Sequence, residues 1–224
     1  MSLLVDINEN ANRRLSTEKE VMDWLIANTN IIVSMKIHPD LSVDIAGSLL
    51  IFKNHDLTEL PVKFNIVSGN FSLESGNIRT MKNFPKYVGG SLDIGGNPIN
   101  SFEHAPLHIA EDIFMEETNI TSFHNIHKHI KRIGTNNSGG IKCSITACKN
   151  LLSLFFIEDL EEIVGIAPVW TEPTTGFVRR KMDSNFQKKE NMLKIVNKHL
   201  GGDRDVHACQ EELLEAGFPK AARF

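Results

Sequence analysis

A repeat of 21 residues constrains this 224-residue chain more than any other feature. Segment 69–85, GNFSLESGNIRTMKNFP, and segment 90–106, GSLDIGGNPINSFEHAP, align without a gap at that spacing. Phe71, Leu73, Ile78 and Met81 fall on Leu92, Ile94, Ile99 and Phe102. The next register starts at Glu111 and supplies Ile113, Met115, Ile120 and Phe123. The preceding one starts at Gly47 and supplies Leu49 and Ile51, then Leu57 and Leu60 after an extra residue. A fifth copy fits Cys143, Ile145, Leu151 and Leu154 with the same extra residue. Ile45, Val67, Val88 and Ile109 precede four of the copies at a fixed offset.

Within each unit the apolar-x-apolar step has period two, so both side chains lie on one face of a short strand. The turn after it is rich in Gly and Asn, which tolerate the tight or left-handed backbone needed to leave the strand. One such unit cannot bury its own apolar face, but stacked units bury a continuous core behind a parallel sheet. The expected fold class is therefore an α/β repeat solenoid.

The stretch Leu92-Asp93-Ile94-Gly95-Gly96-Asn97-Pro98-Ile99 fits the leucine-rich-repeat signature L-x-L-x-x-N-x-L at every fixed position. The asparagine slot holds Asn54, Gly76, Asn97, Thr118 and Cys148 in the five copies, so Gly76 and Thr118 depart from the Asn or Cys of that family. With its short unit, its GG or GN strand openings and its closing prolines, the chain resembles the degenerate leucine-rich-repeat proteins of large T4-like bacteriophages. The run KIVNKHLGGDRDVHACQEELLEAGF also resembles tails of such proteins. The resemblance covers roughly residues 45–157 and this tail. It implies a short curved parallel sheet, an N-terminal helical cap, a C-terminal helical hairpin, and a concave surface made by the outward strand positions.

The flanks read as caps. Thr17-Glu18-Lys19-Glu20 is a capping box, followed by Val21, Trp24 and Leu25 on one helical face. Ile31 to Ile37 reads as a strand that opens the sheet, and Ile157 to Val164 as a short helix. APVWTEPTTG is a linker. Beyond it Phe186 to Leu200 and Val206 to Ala216 read as two helices, stopped by Gly201-Gly202 and Gly217, with Asp203 or Asp205 capping the second. The expected organisation is an N-terminal cap over 1–44, about five 21–22-residue units over 45–165, a linker over 166–185 and a helical hairpin over 186–224.

Chemistry-bearing groups have simpler explanations. His124, His127 and His129 with Cys143 and Cys148 form the nearest approach to a zinc cluster. Yet Cys143 occupies the apolar strand column and Cys148 the asparagine slot, so no metal or other cofactor is expected. His38-Pro39-Asp40 matches a cochaperone tripeptide but follows a strand-like run, which makes it a turn. Arg179, Arg180 and Lys181 are too few to hold a polyanion firmly. Cys209, beside Leu213 and Leu214, reads as a core position rather than an activated thiol. No phosphate loop, nucleophile elbow, zinc-protease helix or dinucleotide fingerprint occurs, so no catalytic residues are expected.

The residues between the apolar strand positions are more telling, because they face away from the core. They are Leu50 and Phe52, Ser72 and Glu74, Asp93 and Gly95, Phe114 and Glu116, then Ser144 and Thr146. Acids from three successive repeats, Glu74, Asp93 and Glu116, flanked by Phe52 and Phe114, have the composition of a protein-recognition surface for a basic partner. The chain carries 28 acidic and 24 basic side chains, a net charge of −4, so it is neither a polyanion mimic nor a basic nucleic-acid binder as a whole. Three cysteines make no disulfide framework, and neither a signal core nor an apolar run of membrane-spanning length is present. A cytoplasmic protein is expected, with no direct nucleic-acid or membrane partner. Small phage proteins of this kind often block a host protein, so the resemblance implies an inhibitor of a host defence protein or toxin, acting in the host cytoplasm. The alternatives are a phage structural or assembly component, and an enzyme with its site between solenoid and hairpin.

Overall fold

The computed structural model describes residues 13–30, 34–134, 139–167, 169–171, 178–180 and 182–224, with the backbone alone at 169–171 and 178–180. It is a parallel β-solenoid of about five turns with helices at both ends. Each full turn contributes a strand to each of two sheets. Sheet I runs β1 (Ser34–Ile37), β2 (Val43–Ala46), β4 (Phe64–Val67), β6 (Tyr87–Val88), β8 (His108–Ile109) and β10 (Arg132–Ile133). Sheet II runs β3 (Leu49–Ile51), β5 (Phe71–Leu73), β7 (Leu92–Asp93), β9 (Ile113–Met115), β11 (Gly140–Ser144) and β12 (Glu162–Ile166). Every pairing in these sheets is parallel except β1 with β2.

The repeat arithmetic becomes strand register. Leu49, Phe71, Leu92 and Ile113 pair in line in sheet II. Val67, Val88 and Ile109 do the same in sheet I, which gives the isolated apolar residue ahead of each copy its purpose. All these side chains are buried, with the Phe71 ring tilted against Phe64 at 5.8 Å and edge-on to Phe84 at 5.3 Å. The chain turns from sheet I to sheet II through corners where successive coils nearly touch. A Cβ on Gly89 would lie 2.3 Å from the Ser68 carbonyl oxygen, and one on Gly90 2.1 Å from Asn70 Oδ1. At Gly89, where the neighbour is backbone, only glycine fits. Returning from sheet II, the third side of the coil turns through left-handed residues 21 positions apart, Asn83, His104 and Asn125.

Asn97, in the asparagine slot, ties neighbouring coils together. This fully buried side chain donates to the Gly95 carbonyl at 3.1 Å and the Glu74 carbonyl of the previous coil at 3.2 Å, and accepts from the Ile78 N–H at 3.3 Å. The departures do not continue that ladder. Gly76 lies under Asn97, and Thr118 donates within its own coil to the Met115 carbonyl at 3.0 Å.

Both ends are closed. Helix α1 (Glu18–Asn28) begins with the complete Thr17–Glu20 capping box and buries Val21 and Leu25. The end of α1 and the residues after it cover the free edge of β3: Phe52 N–H donates to the Asn28 carbonyl and Leu50 N–H to Asn30 Oδ1. Strand β1 covers the edge of β2; the rest of the run expected to form it, 31–33, lies outside the described residues. His38-Pro39-Asp40 is the turn of the β1–β2 hairpin.

At the C-terminal end, α2 (Ser184–Leu200) and α3 (Val206–Glu215) are capped by Asp183 and Asp205. They join the same hydrophobic core as the solenoid, through Phe186, Leu193, Val196, Leu200, Cys209 and Leu213. Asn197 and Arg204 are among the side chains that fix this docking. Asn197 accepts from Ile163 N–H and donates to its carbonyl, both at 2.9 Å, in place of a further strand beside β12. Arg204 donates to the carbonyls of Leu160, Phe155 and Ile157 at 2.9, 3.0 and 2.8 Å.

Three expectations are corrected. The run Ile157 to Val164 is not a helix: a 3-10 segment, Leu151–Phe156, precedes it, and its end enters β12, the sixth strand of sheet II. Ile163, Val164 and Ile166 are β-branched, and pairing with β11 outweighs the acidic, helix-like surroundings. In the fifth unit Ile141 and Cys143, not Cys143 and Ile145, occupy the strand columns, opposite Ile113 and Met115. Part of the expected linker forms an antiparallel pair, β13 (Val169–Thr171) with β14 (Val178–Arg180).

Candidate binding face

The outward side of sheet II consists of two columns. Strand pairing sets Leu50, Ser72, Asp93, Phe114, Lys142 and Val164 side by side. The residues two places further on, Phe52, Glu74, Gly95, Glu116 and Ser144, form the second. Gly95 therefore leaves a gap between Glu74 and Glu116, with Asp93 beside it. These residues, with Leu50, Ser72 and Glu117, line a shallow depression of about 450 Å³. A Cβ on Gly95 would meet Asp93 Oδ1 at 3.3 Å and Glu116 Oε2 at 3.8 Å, so those two carboxylates converge over the glycine.

Two of the acids are oriented by backbone groups. Glu74 Oε2 accepts from the Lys53 N–H at 2.8 Å, and Asp93 Oδ1 from the Gly95 N–H at 3.0 Å. Phe52 stands at one end of the face, 40% exposed. Phe114 is half-buried, and the Lys142 ammonium sits 5.8 Å from its ring centroid. Sequence reasoning missed Lys142, because the two-residue register difference put Ser144 and Thr146 in the outward columns. Lys142 bonds Asp112 at 3.1 Å and approaches Glu162 at 3.9 Å. The structure thus brings Glu74, Asp93 and Glu116 together, with Phe52 at one end and a lysine-covered Phe114 at the other.

The remaining candidates are dispersed. His124 Nδ1 lies 3.0 Å from the Phe224 carbonyl oxygen, while the His127 ring packs on Phe156 at 5.3 Å. Burial, reinforced by Lys128 and Lys131, holds the His127 pKa below its ordinary value. Among the described residues no three His, Cys, Asp or Glu side chains are grouped to hold a metal ion. Cys143 hydrogen-bonds Cys148, and this bond and burial raise its thiol well above its ordinary pKa. Burial, then Glu212, pushes the Cys209 thiol up to about 12, the opposite of activation. The side chains of Arg179 and Arg180, and Lys181 altogether, lie outside the described residues. Among the described residues no helix is long and apolar enough to cross a membrane.

The class that fold and face define is a short, capped β-solenoid with a two-column strand surface of mixed acidic and apolar residues. No family model, no curated protein and no solved structure matches the chain.

Proposed function

We propose that the chain is a non-enzymatic protein-binding module that docks a basic protein surface on the outer face of sheet II. Glu74, Asp93 and Glu116 steer and orient the partner, and Phe52 and Phe114 supply apolar contact. The observation that carries this reading is the convergence of three acids, from three successive coils, around the depression at Gly95. The repeat-and-tail resemblance extends the reading to a phage-encoded inhibitor of a host defence protein or toxin in the bacterial cytoplasm.

The test uses amide variants, because Glu74→Gln, Asp93→Asn and Glu116→Gln keep an acceptor oxygen while removing the charge. Tagged wild type and the triple variant are incubated with bacterial lysate at low and high salt, and captured proteins are identified by mass spectrometry. A basic protein captured by the wild type, weakened by salt and lost with the triple variant at unchanged melting temperature, is expected. Capture undiminished by the triple substitution overturns the use of this face.

A further inference from the structure

The outward row across sheet I carries opposite charges at matching distances from its middle. Following the pairing from β1 past β10, it runs Lys36, Asp44, Ile66, Tyr87, His108, Arg132 and Glu158. Tyr87 is the centre. On one side stand an apolar residue, an anion and a cation; on the other stand an imidazole ring, a cation and an anion. The next positions along the strands, Ile45, Val67, Val88, Ile109 and Ile133, are buried, which places the row on the outer side of the sheet. Ile66 and Tyr87 are each 44% exposed, and Leu107 beside them 40%, a concentration of apolar surface at the middle of the row. Lys36 and Glu158 at its ends are exposed.

We infer that the chain forms a homodimer through this face. The two-fold axis lies between two facing copies of sheet I, parallel to their strands and over Tyr87. That operation places Lys36 opposite the second copy's Glu158, Asp44 opposite its Arg132, Ile66 opposite its His108, and Tyr87 against itself. It is an isologous contact, self-complementary by construction. The other in-plane axis, along the row, sets Lys36 on Lys36 and Asp44 on Asp44, and like charges oppose it.

The charged ends bring local partners with them. His38 Nε2 lies 2.7 Å from Asp44 Oδ2, and Arg132 Nε 2.7 Å from Asp159 Oδ2. Facing pairs of this kind extend into four-membered networks rather than exposing lone buried charges. At about 4.8 Å per strand the row spans roughly 29 Å, so facing copies meet along the whole width of the sheet. Sheet II remains uncovered, so the dimer carries two copies of the depression at Gly95 and gains avidity for a partner with two sites.

Sedimentation equilibrium of the full chain across a wide concentration range tests the inference. A mass twice the 25.1 kDa of one chain is expected. Tyr87→Arg places two cations on the axis and raises the dimer dissociation constant about 100-fold or more. Lys36→Glu and Glu158→Lys each weaken the dimer about 10-fold, and combined in one chain they restore it, because the swapped residues face one another again. Thermal melts verify that each variant is folded. A single-chain mass throughout, undiminished dimerisation by Tyr87→Arg, or a double variant as weak as the singles overturns the proposal.

Discussion

The second to fourth coils and the fifth are built by different means. In the middle of the solenoid the step between paired strand positions is constant, Phe71 to Leu92 to Ile113, and the coils rest backbone on backbone. From Ile113 to its partner Ile141 the step lengthens to 28 residues. There individual side chains supplement the strand pairing. Asp112 Oδ1 accepts from Gly140 N–H and its other oxygen meets Lys142, while Asn197 and Arg204 reach in from the C-terminal helices. A strict repeat lets one geometry serve every interface; where it lapses, each contact needs its own residue.

The difference is sharpest at the glycine corners. Gly89→Ala should be the most damaging substitution, since its methyl group overlaps the Ser68 carbonyl and two coils must separate. A loss of about 3 kcal/mol is expected from such overpacking, lowering the melting temperature by roughly 6–12 °C in a chain this long. An unchanged melt breaks the claim that backbone contact holds the middle. Arg204→Met should cost about 2 kcal/mol, because three carbonyls lose a charged donor. Its effect should stay local: hydrogen exchange rises in α2, α3 and around 155–160, and not at Phe71 or Leu92.

Asparagine pairs the two regions more finely. Asn97→Ala strands groups inside the stack and should cost about 2 kcal/mol, whereas Asn197→Ala frees only one residue of the last strand and should cost about 1 kcal/mol. Chemical denaturation of both variants gives the ranking, and a larger loss from Asn197 reverses the comparison. The smallest effect belongs to the N-terminal cap. The Ser16 backbone N–H and hydroxyl, with Arg13 and Thr17, lower the Glu20 pKa from its ordinary 4.5 to about 2. A depressed folded pKa means that this stabilisation is complete above about pH 4.5 and is lost as pH falls through about 2. Hydrogen exchange in α1 should follow that window, and Glu20→Gln should abolish the dependence.

Much of this architecture is legible in the sequence, for identifiable reasons. Paired apolar positions such as Leu92 and Ile94, followed by Asn97, declare both a strand and its turn. Sheet I was only half legible. Its middle strands, Tyr87–Val88 and His108–Ile109, are two residues long and leave one apolar residue each as their trace. That trace marks a fixed offset but does not distinguish a second strand from a packed loop. The fifth coil escaped by two residues because Cys143 and Ile145 mimic the spacing of Ile141 and Cys143, and the 28-residue step is visible only through pairing. The candidate face followed the same division. Glu74, Asp93 and Glu116 lie in regular coils, where the repeat spacing alone puts them on one face, whereas Lys142 lies past the irregular step and its outward position is visible only through pairing.

The regular corners and closed ends also make length a separable property of the molecule. Inserting one further 21-residue unit between Phe71 and Ile113 would lengthen both sheets by a strand, about 4.8 Å. The first and last coils would still meet the same α1, Asn197 and Arg204. A lineage carrying such a chain can therefore change its reach in whole steps, by duplicating or deleting a segment of its gene, without redesigning either terminus.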